Sequence, residues 1–174
     1  MGKVIILVGP PGSGKSYFIK EYTKTATSPY VVCSMDNFFE TDGKHVYDAT
    51  HVWHAHSECF ARFTEALLAD VPLIFVDNQN AKKGDRSKYI NRAIEYGYEV
   101  ELKVLPRDIE TVIRQNKTQE RIDAGKAVPD EYLTKRMAKF DIEPGIWKAE
   151  DDGGRSYKLT KVLEQNEFIR QSKK

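Results

Sequence analysis

Apolar positions fall along the chain in two alternating rhythms, short β-branched runs and longer stretches of helical spacing. Val4-Ile5-Ile6-Leu7-Val8 is unbroken and closes on Gly9-Pro10-Pro11-Gly12, which predicts a buried strand over Lys3–Val8. A helix is expected to follow from Lys15 to about Tyr22. Tyr30–Ser34 and Leu73–Val76 read as further strands, the latter running into Asp77. Between them Val52, Cys59, Phe60, Phe63, Ala66 and Leu67 recur at helical spacing, predicting a long helix over His51–Ala69 with Thr50 as its N-cap. Another helix is expected from about Gly84 to Tyr96, stopped by Gly97, then a strand over Tyr98–Leu105. Asp108–Asn116 and Pro129–Phe140 complete the helices, with Pro129 at the first helical position. Strands alternating with helices predict an α/β fold of three layers, a parallel sheet of four to five strands covered on both faces.

The length of 174 residues suits one domain, and 40% hydrophobic with 30% charged residues is a soluble globular balance. Val4–Val8 is too short to span a bilayer and carries no cleavage pattern, so no membrane association and a cytoplasmic location are expected. Cys33 and Cys59 form no C-x-x-C pair. The net charge of +1 is distributed unevenly. Residues 79–139 hold 14 Lys/Arg against 10 Asp/Glu and residues 1–78 hold 6 against 9, so the later segment either attracts phosphates or presents solvated helix faces. Glu143–Arg155, rich in glycine and acids, reads as a loose connection or a hairpin turning at Gly153-Gly154. Trp147, Tyr157, Leu159, Val162, Leu163, Phe168 and Ile169 give an expected C-terminal extension, 141–174, enough apolar surface to pack on the 1–140 domain.

Gly9-Pro10-Pro11-Gly12-Ser13-Gly14-Lys15-Ser16 fits G-x-x-x-x-G-K-[ST] between a predicted strand and a predicted helix. Glycines let backbone N–H groups wrap phosphates, and the helix N-terminus adds positive potential. Lys15 is expected to bridge the terminal phosphates and Ser16 to ligate magnesium. A ligand-free glycine turn would have no need of Lys15 and Ser16. The expected nucleotide-binding set is Gly9, Gly12, Ser13, Gly14, Lys15, Ser16, Tyr17 and Arg114, with ATP and magnesium as the cofactors.

Asp36, just past the second strand, should emerge at the same sheet edge as this loop, where it is the candidate general base for a hydroxyl acceptor. The competing role is a cap on the helical turn beginning Asn37-Phe38-Phe39. Asp77 ends its strand as a Walker-B-like acid orienting magnesium does, unless it is a plain turn residue. Asn78, Gln79 and Asn80 supply neutral donors and acceptors for a hydroxylated substrate, or form a turn. Arg114 and Arg121 flank the polar stretch Gln115–Glu120, in a candidate lid at about 114–128. Arg121 either neutralises the transferring phosphoryl group or is a solvated helix charge. His54 and His56, two apart, do not make a helical metal pair. Trp53, Phe60 and Phe63 are expected in the core.

These motifs resemble the bacteriophage 5′-hydroxyl polynucleotide kinases and their relatives, including kinase-like domains of a mammalian ubiquitin-ligase-binding protein, within the zeta-toxin/AAA_33-like group of P-loop ATPases. The likeness is carried by the P-loop, Ser34-Met35-Asp36-Asn37-Phe38-Phe39, Ala55-His56, Val76-Asp77-Asn78-Gln79-Asn80, Glu95-Tyr96-Gly97-Tyr98-Glu99-Val100 and Gly125-Lys126-Ala127-Val128-Pro129, and covers roughly residues 1–140. It implies an ATP-dependent kinase in which Asp36 takes the proton of a nucleic-acid 5′-hydroxyl, on DNA or RNA, while Lys15 and Arg121 stabilise charge and Ser16 and Asp77 hold the metal. Phe39 stands where the phage enzymes place an arginine on the acceptor phosphate, and the relatives outside phage also tend to an aromatic there. Phe39, Asn78 and Asn80 are the expected acceptor contacts. The segment from Arg114 to Lys126 is longer here than in the family. A base-linked hydroxymethyl group in DNA such as hydroxymethyluracil, and a nucleoside or small metabolite, are the other acceptors. A nucleotide-binding ATPase switch without an acceptor is the remaining alternative.

Overall fold

The computed structural model describes residues 2–105, 109–141 and 155–159. Four parallel strands, β1 (Lys3–Val8), β2 (Tyr30–Cys33), β5 (Leu73–Val76) and β6 (Glu99–Val104), lie in the order β2-β5-β1-β6, and β7 (Arg155–Leu159) adds an antiparallel edge beside β6. The parallel α/β sheet expected from the alternating pattern is present. Arg155, expected to end a loose connection or hairpin, opens β7, and Tyr157 and Leu159 of the expected C-terminal extension lie on that strand; the expected Gly153-Gly154 turn and the apolar residues Trp147, Val162, Leu163, Phe168 and Ile169 lie outside the described residues.

Strand β1 is central because both its faces are buried. Val4, Ile6 and Val8 join Cys59, Phe63 and Tyr89 of the helices α3 (Val52–Leu68) and α4 (Lys83–Glu95), while Ile5 and Leu7 join Ile19 of α1 (Lys15–Thr23). This near-continuous apolar run is what a parallel strand between two helix layers requires. All four parallel strands therefore deliver their carboxyl ends, and the residues after them, to one edge.

Helix α3 is entered differently from the expectation. A single 3-10 turn over Ala49–His51 precedes it, capped by Asp48, whose carboxylate accepts from Thr50 N (2.9 Å), Thr50 Oγ1 and His51 Nδ1, and His51 rather than Thr50 is the N-cap of α3. Those bonds hold the Asp48 carboxyl down to about 2. The buried stripe of α3 is Ala55, Cys59, Phe63, Ala66 and Leu67, and Trp53 falls outside it, 74% exposed. Trp53 is therefore a surface residue, contrary to its expected place in the core, whereas Phe63 is buried as expected.

Pro129 caps α7 (Asp130–Met137) rather than opening it. Past that helix, Asp141 is tied to the sheet: its carboxylate meets the fully buried Arg86 at 2.8 Å and its N–H donates to Ala81 O at 3.0 Å. The same Arg86 donates to Asn80 O at 2.9 Å. The two cysteines are free and buried, and burial pushes the Cys33 thiol up to about 12.

Candidate active site

Between β1 and α1 the loop Gly9–Ser16 turns back over the sheet edge. Gly12 and Gly14 adopt φ of +79° and +95°, conformations that side-chain-bearing residues avoid. A Cβ on Gly12 would also meet Val112 O at 3.1 Å and Asn116 N at 3.2 Å. The loop is thus seated against α5 (Ile109–Asn116), and no larger residue fits there. Lys15 Nζ donates to Gly9 O and Pro10 O, both at 2.9 Å, so the ammonium is held in the mouth of the loop.

Asp77, at the end of β5, is fixed by its N–H donating to Cys33 O (2.8 Å), and its half-buried carboxyl is pushed above the usual range by desolvation, with Lys15 pulling it back. Asp36 opens the short α2 (Asp36–Phe39), and its N–H donates to Ser34 Oγ at 3.2 Å. Its side chain is 51% exposed, with His45 Nε2 at 3.3 Å from Oδ1 and Lys126 Nζ at 3.9 Å from Oδ2. Of the two roles open to Asp36 in the sequence, capping is excluded here: Met35 occupies the N-cap.

The segment 114–128, expected to form a lid, runs from the end of α5 through α6 (Gln119–Asp123) toward α7. Asn116 ties its two ends together, donating through Nδ2 to Val128 O (2.6 Å) while its Oδ1 accepts from Val128 N (3.1 Å). Arg121 donates to Lys126 O (2.7 Å) and its Nε is buried without a hydrogen bond; desolvation lowers its pKa, and Asp36 opposes that. Arg114 is exposed on α5, and Tyr17 is exposed beside the P-loop on α1.

Lys15, Asp36, Asp77, Arg121 and Lys126 act on one another electrostatically, and so stand in one constellation. Desolvation lowers Lys15 to about 8; Arg121 and Lys126 push the same way, while Asp77 and Asp36 oppose it. A polyphosphate fits this arrangement: Ser13 Oγ and Arg121 Nε are buried polar atoms without hydrogen-bond partners, and a half-buried ammonium with depressed pKa is stabilised by an anion. No group of three or more His, Cys, Asp or Glu side chains that could hold a metal occurs among the described residues. Magnesium would accordingly be held by Ser16, Asp77 and the phosphates together.

A pH dependence follows with a definite sign. Free Lys15 loses its proton near 8, whereas bound phosphates hold that proton on, so ATP binding takes up a proton above that pH. ATP affinity is expected to fall with rising pH above about 8, by up to about tenfold per unit. Calorimetric titration over that range checks it; an affinity independent of pH there, or the same slope in Lys15→Met, overturns it.

The three expected acceptor contacts are each engaged within the protein. Asn78 Oδ1 accepts from Met35 N (2.8 Å) and its Nδ2 reaches Cys59 Sγ (3.4 Å), so it positions the turn that carries Asp36. Asn80 is buried, its amide donating to Leu7 O at 2.6 Å. Phe39 is buried too, edge-on to Phe38 (5.2 Å between ring centroids) and His45 (5.7 Å). Its backbone carbonyl accepts from Val46 N, which closes the hairpin β3 (Glu40–Thr41) and β4 (Lys44–His45). That hairpin was not read from the sequence, although Asp42-Gly43, with φ of +51° and +74°, is a recognised two-residue turn signal. His45, Lys126 and Asn116 are the site residues that sequence reasoning did not single out.

A protein family described as an AAA domain matches residues 4–142. Among solved structures, the Pnkp1/Rnl/Hen1 RNA repair complex contains a similar chain, with a TM-score of 0.67 and 18% identity over 92% of this chain and 49% of that one. A second structure of the Pnkp1/Rnl/Hen1 complex aligns at a TM-score of 0.54 and 23% identity, over 68% of this chain and 40% of that one. The crystal structure of APE1195 aligns at 0.51 and 16% identity, over 99% and 95% of the two chains. The present chain spans less than half the length of the chains it matches in the two repair-complex structures. At these identities the shared property is the fold. No curated protein matches the chain.

Proposed function

The chain belongs to the AAA domain family over residues 4–142, and from that premise we propose that it is an ATP-dependent phosphotransferase acting on a hydroxyl, first of all the 5′-hydroxyl of a polynucleotide. The observation that carries this reading is Asp36: a half-exposed carboxylate within electrostatic reach of Lys15 at the P-loop, open to an acceptor that approaches from solvent. In a plain ATPase switch the same carboxylate would serve water, so the acceptor assay below decides between the two.

In the proposed reaction the acceptor hydroxyl oxygen attacks the γ-phosphorus as its proton passes to an Asp36 carboxylate oxygen, and the bond to the β,γ-bridging oxygen breaks to release ADP. Lys15 and Arg121 stabilise the charge that develops on the phosphoryl and bridging oxygens. Gly12 and Gly14 let backbone N–H groups approach the phosphates, and Asn116, whose backbone lies against Gly12, braces the segment that follows through Val128. Magnesium, when bound at Ser16 and Asp77, supplies neutralising charge to the phosphates.

The nucleic-acid acceptor is supported by the motif resemblance and by the repair-complex chains whose fold this one shares. Phe39, which stands where the phage enzymes place an arginine, is buried against His45, so any grip on an acceptor phosphate must come from elsewhere, and Lys126, 3.9 Å from the base, is a cation placed to supply it. No helix among the described residues is long and apolar enough to cross a membrane. The test is transfer of labelled γ-phosphate to a panel of 5′-hydroxyl DNA and RNA oligomers, hydroxymethyluracil duplex DNA and free nucleosides. Label on oligomer 5′ ends supports the reading; label confined to the modified base or to nucleosides replaces the acceptor.

A further inference from the structure

Two elements, the hairpin that follows α2 and a segment some ninety residues beyond Asp36 in sequence, meet around the Asp36 carboxylate. Hairpin β3–β4 brings His45 Nε2 to 3.3 Å from Oδ1, and the lid brings Lys126 Nζ to 3.9 Å from Oδ2. These elements are hooked together, since His45 N donates to Ala124 O at 2.8 Å. Gly125 lies flush on the hairpin with φ of +71°, where a Cβ would stand 2.6 Å from His45 O. The lid side of the hook is braced in turn by Arg121, which donates to Lys126 O at 2.7 Å. On the hairpin side, the His45 ring packs in a triangle with Phe39, at 5.7 Å edge-on, and Tyr47, at 6.4 Å stacked, which stand 5.3 Å from each other.

His45 Nε2 is buried and makes no aligned hydrogen bond, although a carboxylate oxygen stands within hydrogen-bond distance. A buried ring nitrogen left so is costly, and a small movement of the hairpin satisfies it on Asp36. Hydrogen bonds at catalytic groups are often long before substrates bind and tighten afterwards.

We propose that His45 is a positioning residue for Asp36, and that the lid segment Ala124–Lys126 holds it there, so that the lid over the nucleotide also sets the aim of the base. The inference rests on Asp36 being that base. It makes the hairpin and the lid one clasp: nucleotide that orders the lid orders the acceptor side of the site through the single bond from His45 N to Ala124 O. His45 touches neither ATP nor the acceptor in this role; it acts through Asp36.

Three variants and one spectroscopic measurement test the clasp. His45→Ala is expected to lower kcat for transfer by about 10²-fold while KM for ATP changes little, because misplacing a catalytic group by about 1 Å costs that much. His45→Asn, whose amide restores a donor, is expected to recover part of the loss. Gly125→Ala, which touches neither Asp36 nor His45's ring, is expected to reproduce the kcat defect. The double variant His45→Ala/Gly125→Ala is expected to be no worse than either single, since both remove one contact. Multiplying losses, or a Gly125→Ala enzyme with normal kcat, overturns the proposal. The nitrogen resonance of the His45 ring is read in parallel, with Asp36→Asn as perturbation: a shift at Nε2 is expected, and an unmoved resonance overturns the contact. If no hydroxyl acceptor takes label, the functional reading fails by itself, while the ring resonance and the exchange protection of the His45 amide in Gly125→Ala still decide whether the clasp exists.

Discussion

Asp36→Asn is expected to lower kcat for transfer by about 10²–10⁴-fold, the range a positioned general base contributes, and to leave ATP binding nearly unchanged. The substitution is close to isosteric, so His45 and Lys126 keep a polar neighbour of the same shape and the fold is not at risk. What is lost is the ability to accept the hydroxyl proton. Because the Asp36 side chain is 51% exposed and not buried in the phosphate cradle, nucleotide affinity has little reason to follow. Single-turnover transfer with saturating ATP, beside a direct measurement of ATP binding, separates the two. Transfer at the wild-type rate would remove Asp36 from its role.

Lys15→Met is expected to reduce kcat by about 10²–10³-fold and to weaken ATP binding as well, since it removes a cation whose place is at the phosphates in both ground and transition states. Its Nζ bonds to Gly9 O and Pro10 O show that the loop itself orients the ammonium, and a charge so held is the more effective. Lys15→Arg is expected to recover little, because a planar guanidinium cannot take the place of a compact ammonium between two carbonyls on the same turn. Far-UV circular dichroism should be unchanged in both, as β1 and α1 meet through Ile5, Leu7 and Ile19 rather than through Lys15. An unaltered ATP affinity in Lys15→Met would contradict the placing of the phosphates in this loop.

The parts of the site that the sequence announces are those whose geometry is local or follows from strand direction. The P-loop is contiguous, so spacing alone identifies it. Asp36 and Asp77 follow strands, and parallel pairing brings their backbones together, with Asp77 N bonded to Cys33 O. His45 is of another kind. Its approach to Asp36 depends on the reversal at Asp42-Gly43 and on a lid more than seventy residues away, and neither is encoded in its own neighbourhood. The same holds for Asn116, whose two bonds to Val128 depend on the chain returning past α6 toward α7. Asn78 and Asn80 look like ligand-binding amides after a strand, yet the backbone groups they satisfy are themselves products of the fold. Trp53 was misplaced for a simpler reason: the stripe through Ala55, Cys59 and Phe63 leaves it out of phase, and its size outweighed its position.

Stoichiometry decides between a kinase and a switch more directly than any variant. With a 5′-hydroxyl oligonucleotide present, ADP released and phosphate bound to the acceptor should be measured in the same single-turnover reaction. The account predicts one acceptor phosphate for each ADP. ADP accumulating with free phosphate and no phosphorylated acceptor, for any hydroxyl offered, would contradict it and leave Asp36 without a proton to accept from an acceptor.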